Sequence, residues 1–151
     1  MNEMFCFQCQ QTAHNTGCNG KAGVCGKKAD TANFQDELIG ALIGLARAAE
    51  NGRPTAQTDE LVLKGLFTTI TNVNFNNETV KKMKTQIEKE KGRINSESFD
   101  DHDMKKLWDE HEDIRSLKSL ILFGIKGMAA YAYHALALGK TDSGVNSFFY
   151  E

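Results

Sequence analysis

Apolar residues return at three- or four-residue intervals along most of the chain, and their breaks divide it into helices. Phe34, Leu38, Leu42, Leu45 and Ala49 form a first stripe, with Asp30 or Thr31 placed to cap its start. Asn51-Gly52 and the single proline, Pro54, end that helix. A second helix is predicted from near Thr58, with Asp59 and Glu60 in the first turn, where the helix dipole favours acids. It carries Leu61, Val62, Leu66 and Ile70, and the turn-prone run "TNVNFNN", residues 71–77, closes it. A third is predicted over about 78–91, with the narrow stripe Val80, Met83 and Ile87. Its lysines between Lys81 and Lys91 alternate with acids as on a solvated face.

Residues 92–103, "GRINSESFDDHD", read as a polar linker and the best candidate for disorder. After a short amphipathic piece with Leu107 and Trp108 comes the longest and most apolar helix, residues 113–139. Leu117, Leu120, Ile121, Gly124, Met128, Tyr131 and Ala135 keep its period. Gly124 and Gly127, with Ala129 and Ala130, would admit a close neighbouring helix. Asp142 can cap a final helix, "SGVNSFFYE". Nothing alternates at period two for long enough to make a strand. The predicted fold is therefore all-α, an up-down helix bundle. The bundle proper would be residues 30–151, and residues 1–29 a loop that carries the chemistry.

Composition narrows the partners. The 151 residues make one domain, long enough to bury roughly two-thirds of the unfolded surface. Eighteen basic residues against twenty acidic give a net charge of −2, which offers nucleic acid or anionic membranes no attraction. The apolar run near Leu120–Leu138 is interrupted by Lys126 and His134 and is expected to fall short of a membrane span. Met1-Asn2-Glu3 has no basic stretch followed by an apolar run, so no signal peptide is expected and the setting is read as cytoplasmic.

That setting bears on the four cysteines, Cys6, Cys9, Cys18 and Cys25, which all fall in twenty residues. Reducing compartments keep thiols open, so clustered cysteines mean metal or redox chemistry more often than disulfides. The pattern is C-x2-C-x8-C-x6-C. A C-x2-C turn brings two sulfurs near one centre, and two more from a glycine-rich loop can close the coordination. An iron–sulfur cluster tolerates such uneven spacing. A zinc ion also takes four thiolates, though usually from two tight knuckles. A dithiol pair would use Cys6 and Cys9 and leave the others idle. Spacing leans toward iron–sulfur and leaves all three open. His14 lies between Cys9 and Cys18, but four cysteines already suffice as ligands.

The segment "MFCFQCQQTAHNTGC", residues 4–18, resembles the opening of the hybrid cluster proteins, also called prismane proteins or hydroxylamine reductases. The likeness continues in "GVCGKKADTANFQDELIGALIGLA", "FTTITNVNF" and "IRSLKSLILFGIKGMAAYAYHALALG", and is weakest over residues 78–112. This resemblance implies one 4Fe-4S cluster on Cys6, Cys9, Cys18 and Cys25, since a short second gap goes with the cubane form and a longer one with 2Fe-2S. It also implies an electron relay between an external donor protein and a catalytic hybrid cluster. In the family that second cluster is held by later domains, through a histidine, glutamates and further cysteines. No cysteine follows Cys25 here. The chain is therefore expected to resemble the N-terminal helical domain alone and not to reduce hydroxylamine by itself. It would be a truncated product, an excised fragment or a stand-alone domain.

Two other readings accompany this one. The chain could be a helical interaction module, pairing with itself or with the missing domains through "LILFGIKGMAAYAY". It could also be a zinc-stabilised four-cysteine domain without redox activity. His102 and His111 read as solvated, His134 as a polar rim residue, and Asp36 and Glu37 as serving the helix dipole. Tyr131, Tyr133, Phe148 and Phe149 read as core or interface aromatics.

Overall fold

The computed structural model describes residues 4–10, 13–50, 52–94 and 100–151. Among the described residues five helices run in order: α1 Ala29–Glu50, α2 Ala56–Thr68, α3 Asn77–Ile94, α4 Glu112–Ala137 and α5 Ser143–Phe148. Short 3-10 turns occur at Ala13–Asn15 and Met104–Asp109, and no strand forms among the described residues. The architecture is the expected all-α bundle.

α1 is the central element, burying Ala32, Leu38, Ile39, Leu42, Leu45 and Ala48. It runs parallel to α3 at a constant offset. Asn77 Nδ2 donates to Asp30 Oδ2 at 2.9 Å, and Lys84 Nζ reaches Glu37 Oε2 at 3.0 Å, each pair 47 residues apart. α2 runs antiparallel to both and packs against both, while α1 and α3 also meet directly. Thr58, at its start, donates to Glu90 Oε1 near the end of α3, at 2.5 Å. Arg93 closes the same buried cluster, with Nη2 donating to Glu90 Oε1 at 2.7 Å. α2 begins two residues before the expected Thr58, because Thr58 serves the start from inside: its Oγ1 accepts the Thr55 N–H at 2.9 Å.

The polar linker expected over 92–103 is shorter and more structured than its composition suggests. Residues 92–94 belong to α3, and residues 95–99 lie outside those described. Residues 100–103 are held on α1. The His102 N–H donates to Gly40 O at 3.1 Å, and Lys91 Nζ meets Asp101 Oδ1 at 2.6 Å. A Cβ on Gly40 would lie 2.2 Å from His102 O, so only glycine admits this approach. His102 is thus half-buried rather than solvated, and burial lowers its pKa.

α4 departs furthest from expectation. Its packing stripe is Leu122, Ile125, Lys126, Ala129, Ala132 and Leu136. It packs along α2, with Tyr133 stacked on Phe67 at 4.1 Å between centroids and Lys126 reaching Thr69 O, both at the C-terminal end of α2. The stripe Leu117, Leu120, Ile121, Met128 and Tyr131 faces outward instead, Leu120 at 67% and Tyr131 at 83% exposure. Space around Gly124 and Gly127 is open. Glycines that permit close approach lie elsewhere, among them Gly40 on α1, Gly52 beside Ile94 and, on α2, Gly65 against Leu42. By length and composition α4 is also long and apolar enough to cross a membrane, contrary to the expectation from its interruptions. Its mid-helix Lys126 is nonetheless 4% exposed and hydrogen-bonded to protein.

His111 accepts the Asp113 N–H at the start of α4, and Gly139, at φ 69°, ends it. α5 is capped by Asp142 as expected and docks on α2, where the Tyr150 hydroxyl donates to Asp59 Oδ1 at 2.5 Å. Phe149 is buried, whereas Phe148 remains exposed. His134 is exposed at the rim.

Candidate metal centre

The cysteine loop is pinned by its own apolar residues. Met4 packs with Ala29 and Ala32 at the start of α1, and Phe7 enters the main core. Around the second anchor the C-x2-C turn presents Cys6 before Phe7 and Cys9 after it. The Cys6 N–H donates to Cys18 O at 3.0 Å, joining the first limb of the loop to the second. Gly17 and Gly26 take φ of 74° and 83°, which a side chain would resist. Around Cys25 the chain turns tightly, with Gly23 N–H donating to Lys27 O at 2.8 Å and Gly26 N–H to Gly23 O at 2.9 Å.

These constraints bring all four expected residues to one place. Cys6, Cys9, Cys18 and Cys25 line a single cavity of about 280 Å³, together with Gln8, Gly23, Lys27 and Thr71. A methyl on Gly23 would lie 3.5 Å from Cys25 Sγ and 3.6 Å from Cys18 Sγ. The thiols are free, Cys25 exposed and the other three half-buried. They ring the cavity rather than converge on a point. Among the described residues no three His, Cys, Asp or Glu side chains gather closely enough to hold one metal ion. Zinc at about 2.3 Å from each ligand needs sulfurs within about 4 Å of one another, whereas a multi-iron group takes a wider ring. The exposed His14 lies outside the cavity lining.

Two buried lysines flank the loop. Lys27 is 2% exposed, and its Nζ lies 4.0 Å from Cys6 Sγ. Burial pushes the Cys6 thiol up, while the Gln8 N–H and the Lys27 ammonium favour its thiolate. Behind the C-x2-C turn, Lys126 Nζ donates to Gln8 Oε1, and Gln8 Nε2 donates to Asp36. The Gln8 carbonyl accepts from Thr71 Oγ1 at 3.0 Å. Burial pushes the Asp36 carboxyl up to about 7, against the pull of Gln8, Lys126 and Lys27. It pushes Lys126 down to about 7, with Asp36 acting the other way.

Asp36 is therefore no dipole residue. It belongs to a buried polar cluster under the loop that the sequence pattern did not disclose. The one available signal was Lys126 itself, a lysine in the middle of the most apolar helix, which otherwise reads as a mere interruption. Lys27, in a glycine- and lysine-containing loop, gave no signal.

Fold and site together define a helical-bundle protein with a four-cysteine cavity at the foot of its central helix. Residues 4–151 match the Prismane/CO dehydrogenase family, and the chain belongs to that family. It is 41% identical over 175 residues to a hydroxylamine reductase of Desulfitobacterium hafniense, covering 96% of this chain and 32% of that protein. The hydroxylamine reductase of Caldanaerobacter subterraneus is 41% identical over 177 residues, covering 97% and 32%. That of Bacteroides fragilis is 40% identical over 168 residues, covering 96% and 31%. The chain thus spans about a third of the length of the curated relatives it matches.

Proposed function

We propose that the chain holds one 4Fe-4S cluster on Cys6, Cys9, Cys18 and Cys25 and passes single electrons through it. The observation that carries this reading is the common cavity lined by all four cysteines. The short gap between Cys9 and Cys18, which in the resembled family goes with the cubane form, ranks 2Fe-2S lower, and the uneven cysteine spacing ranks zinc lower. Such a group supplies reversible one-electron storage when bound. This chain's residues supply four thiolates, the Lys27 ammonium beside Cys6, and the backbone N–H of Gln8 toward the Cys6 sulfur. Cys25 and the neighbouring Val24 are exposed, so an electron donor protein can approach the site closely in a cytoplasmic setting.

The relatives' name suggests the wider reaction to which such a relay contributes. We assign no hydroxylamine-reducing centre to these residues, because every cysteine lies between residues 6 and 25. Anaerobic reconstitution with iron and sulfide, followed by iron counting and paramagnetic resonance, tests the relay. About four irons per chain and a one-electron signal are expected. Zinc uptake with no iron retained would refute it. Hydroxylamine turnover above a protein-free control would refute the restriction to relay.

A second reading concerns α4, whose outward stripe of Leu117, Leu120, Ile121 and Tyr131 is exposed. It is the surface through which the chain would meet a second copy or the further domains found in longer relatives. Concentration-dependent self-association in light scattering, abolished by Leu120→Ser with Tyr131→Ser, is expected. A monomer at all concentrations removes the homo-oligomer form of this reading.

A further inference from the structure

Lys126 is out of place by ordinary rules. Lysine is almost never fully buried unless paired, and this one occupies the packing stripe of an apolar helix at 4% exposure. Its ammonium is not matched to a carboxylate directly. It donates to the Gln8 side chain and lies 3.4 Å from Thr69 O. Gln8 lies between Cys6 and Cys9, and its other amide group donates to Asp36 on α1. The charged or titratable groups facing Lys126 are Asp36 from α1 and Lys27, Cys6 and Cys9 from the loop. If α4 needed only volume here, methionine would fill the same space at lower desolvation cost.

We infer that Lys126 is a positioning residue for redox poise: its buried ammonium, carried by α4 to the back of the C-x2-C turn, raises the reduction potential of a cluster on the four cysteines. The inference rests on the iron–sulfur reading above. Lys126 stabilises the extra negative charge that arrives with one electron from a one-electron donor. The donor is oxidised in the exchange, and no bond forms or breaks. Because the ammonium is removed from water, its field is little screened. It acts from behind Gln8, whereas Lys27 approaches a ligand sulfur, so changing Lys126 removes no group that touches a ligand sulfur.

The test uses wild type, Lys126→Met, Lys126→Arg and the double variant Asp36→Asn with Lys126→Met, all reconstituted anaerobically. The double variant removes the buried ammonium together with its counter-group and guards against a single variant that fails to fold. Iron content is counted first. Midpoint potentials are then measured by dithionite titration with paramagnetic resonance at pH 6, where Asp36 is neutral and Lys126 charged. Lys126→Met should make reduction at least tenfold less favourable, a fall of about 59 mV for one electron. Lys126→Arg should stay within threefold of wild type, and the double variant should follow Lys126→Met. An iron-loaded Lys126→Met or double variant at the wild-type potential would overturn the inference while leaving the cluster reading intact. So would a Lys126→Arg protein displaced as far as Lys126→Met. A wild-type chain that retains no iron overturns the cluster reading and the inference with it.

Discussion

The same substitution, glycine to alanine in a helix interior, should move stability in opposite directions at two positions of this chain. At either site alanine gains about 1 kcal/mol of helix propensity. Gly124 on α4 has nothing within 4 Å of the new methyl group, so that gain should survive almost whole. At Gly40 the methyl would lie 2.2 Å from the carbonyl oxygen of His102. The segment must retreat by roughly 1 Å, at an overpacking cost of about 1–3 kcal/mol. The His102 N–H to Gly40 O bond, now 3.1 Å, would be lost for about 1 kcal/mol more. Net, Gly40→Ala should destabilise by about 1–3 kcal/mol and Gly124→Ala should stabilise by up to about 1 kcal/mol. For a chain of this length each kcal/mol shifts the melting temperature by about 2–4 °C. Urea denaturation and thermal melts of both variants, beside wild type, check this. Equal shifts of the same sign would refute the docking of residues 100–103 on α1.

Glu90→Gln should flatten the acid limb of the stability curve. Arg93 and Thr58 hold the Glu90 carboxyl below its usual 4.5. Its contribution is therefore present above pH 4.5 and lost as pH falls through the folded value; stability measured at a series of acidic pH values should depend less on pH in the variant. Tyr150→Phe removes the hydroxyl bonded to Asp59, at a cost of about 1–2 kcal/mol, and hydrogen exchange should show α5 opening first. Alanine at Cys6, Cys9, Cys18 or Cys25 should each cut iron retention sharply, whereas His14→Ala should leave it unchanged, since His14 lies outside the cavity lining.

The sequence by itself determined the helices and the four candidate ligands. Both are local: a 3.6-residue period shows in any window of a dozen residues, and four cysteines in twenty residues cannot spread far apart. It offered "LILFGIKGMAAYAY" as an interaction surface, a segment in which Leu120, Ile121 and Tyr131 are exposed while Lys126 and Ala129 are buried. What it could not determine was which side of α4 faces inward. Two apolar stripes share that helix, and only the position of α2 selects the one bearing Lys126 over the one bearing Leu120. The same limit hid the support of the cysteine loop. Gln8, Asp36 and Lys126 are 28 and 118 residues apart along the chain, and no local pattern links them. Gly40 likewise looked like an ordinary helix residue until residues 100–103 were found against it. Periodicity reports that a side chain has a buried face; the partner across that face is a property of three helices brought together, and tertiary structure alone decides it.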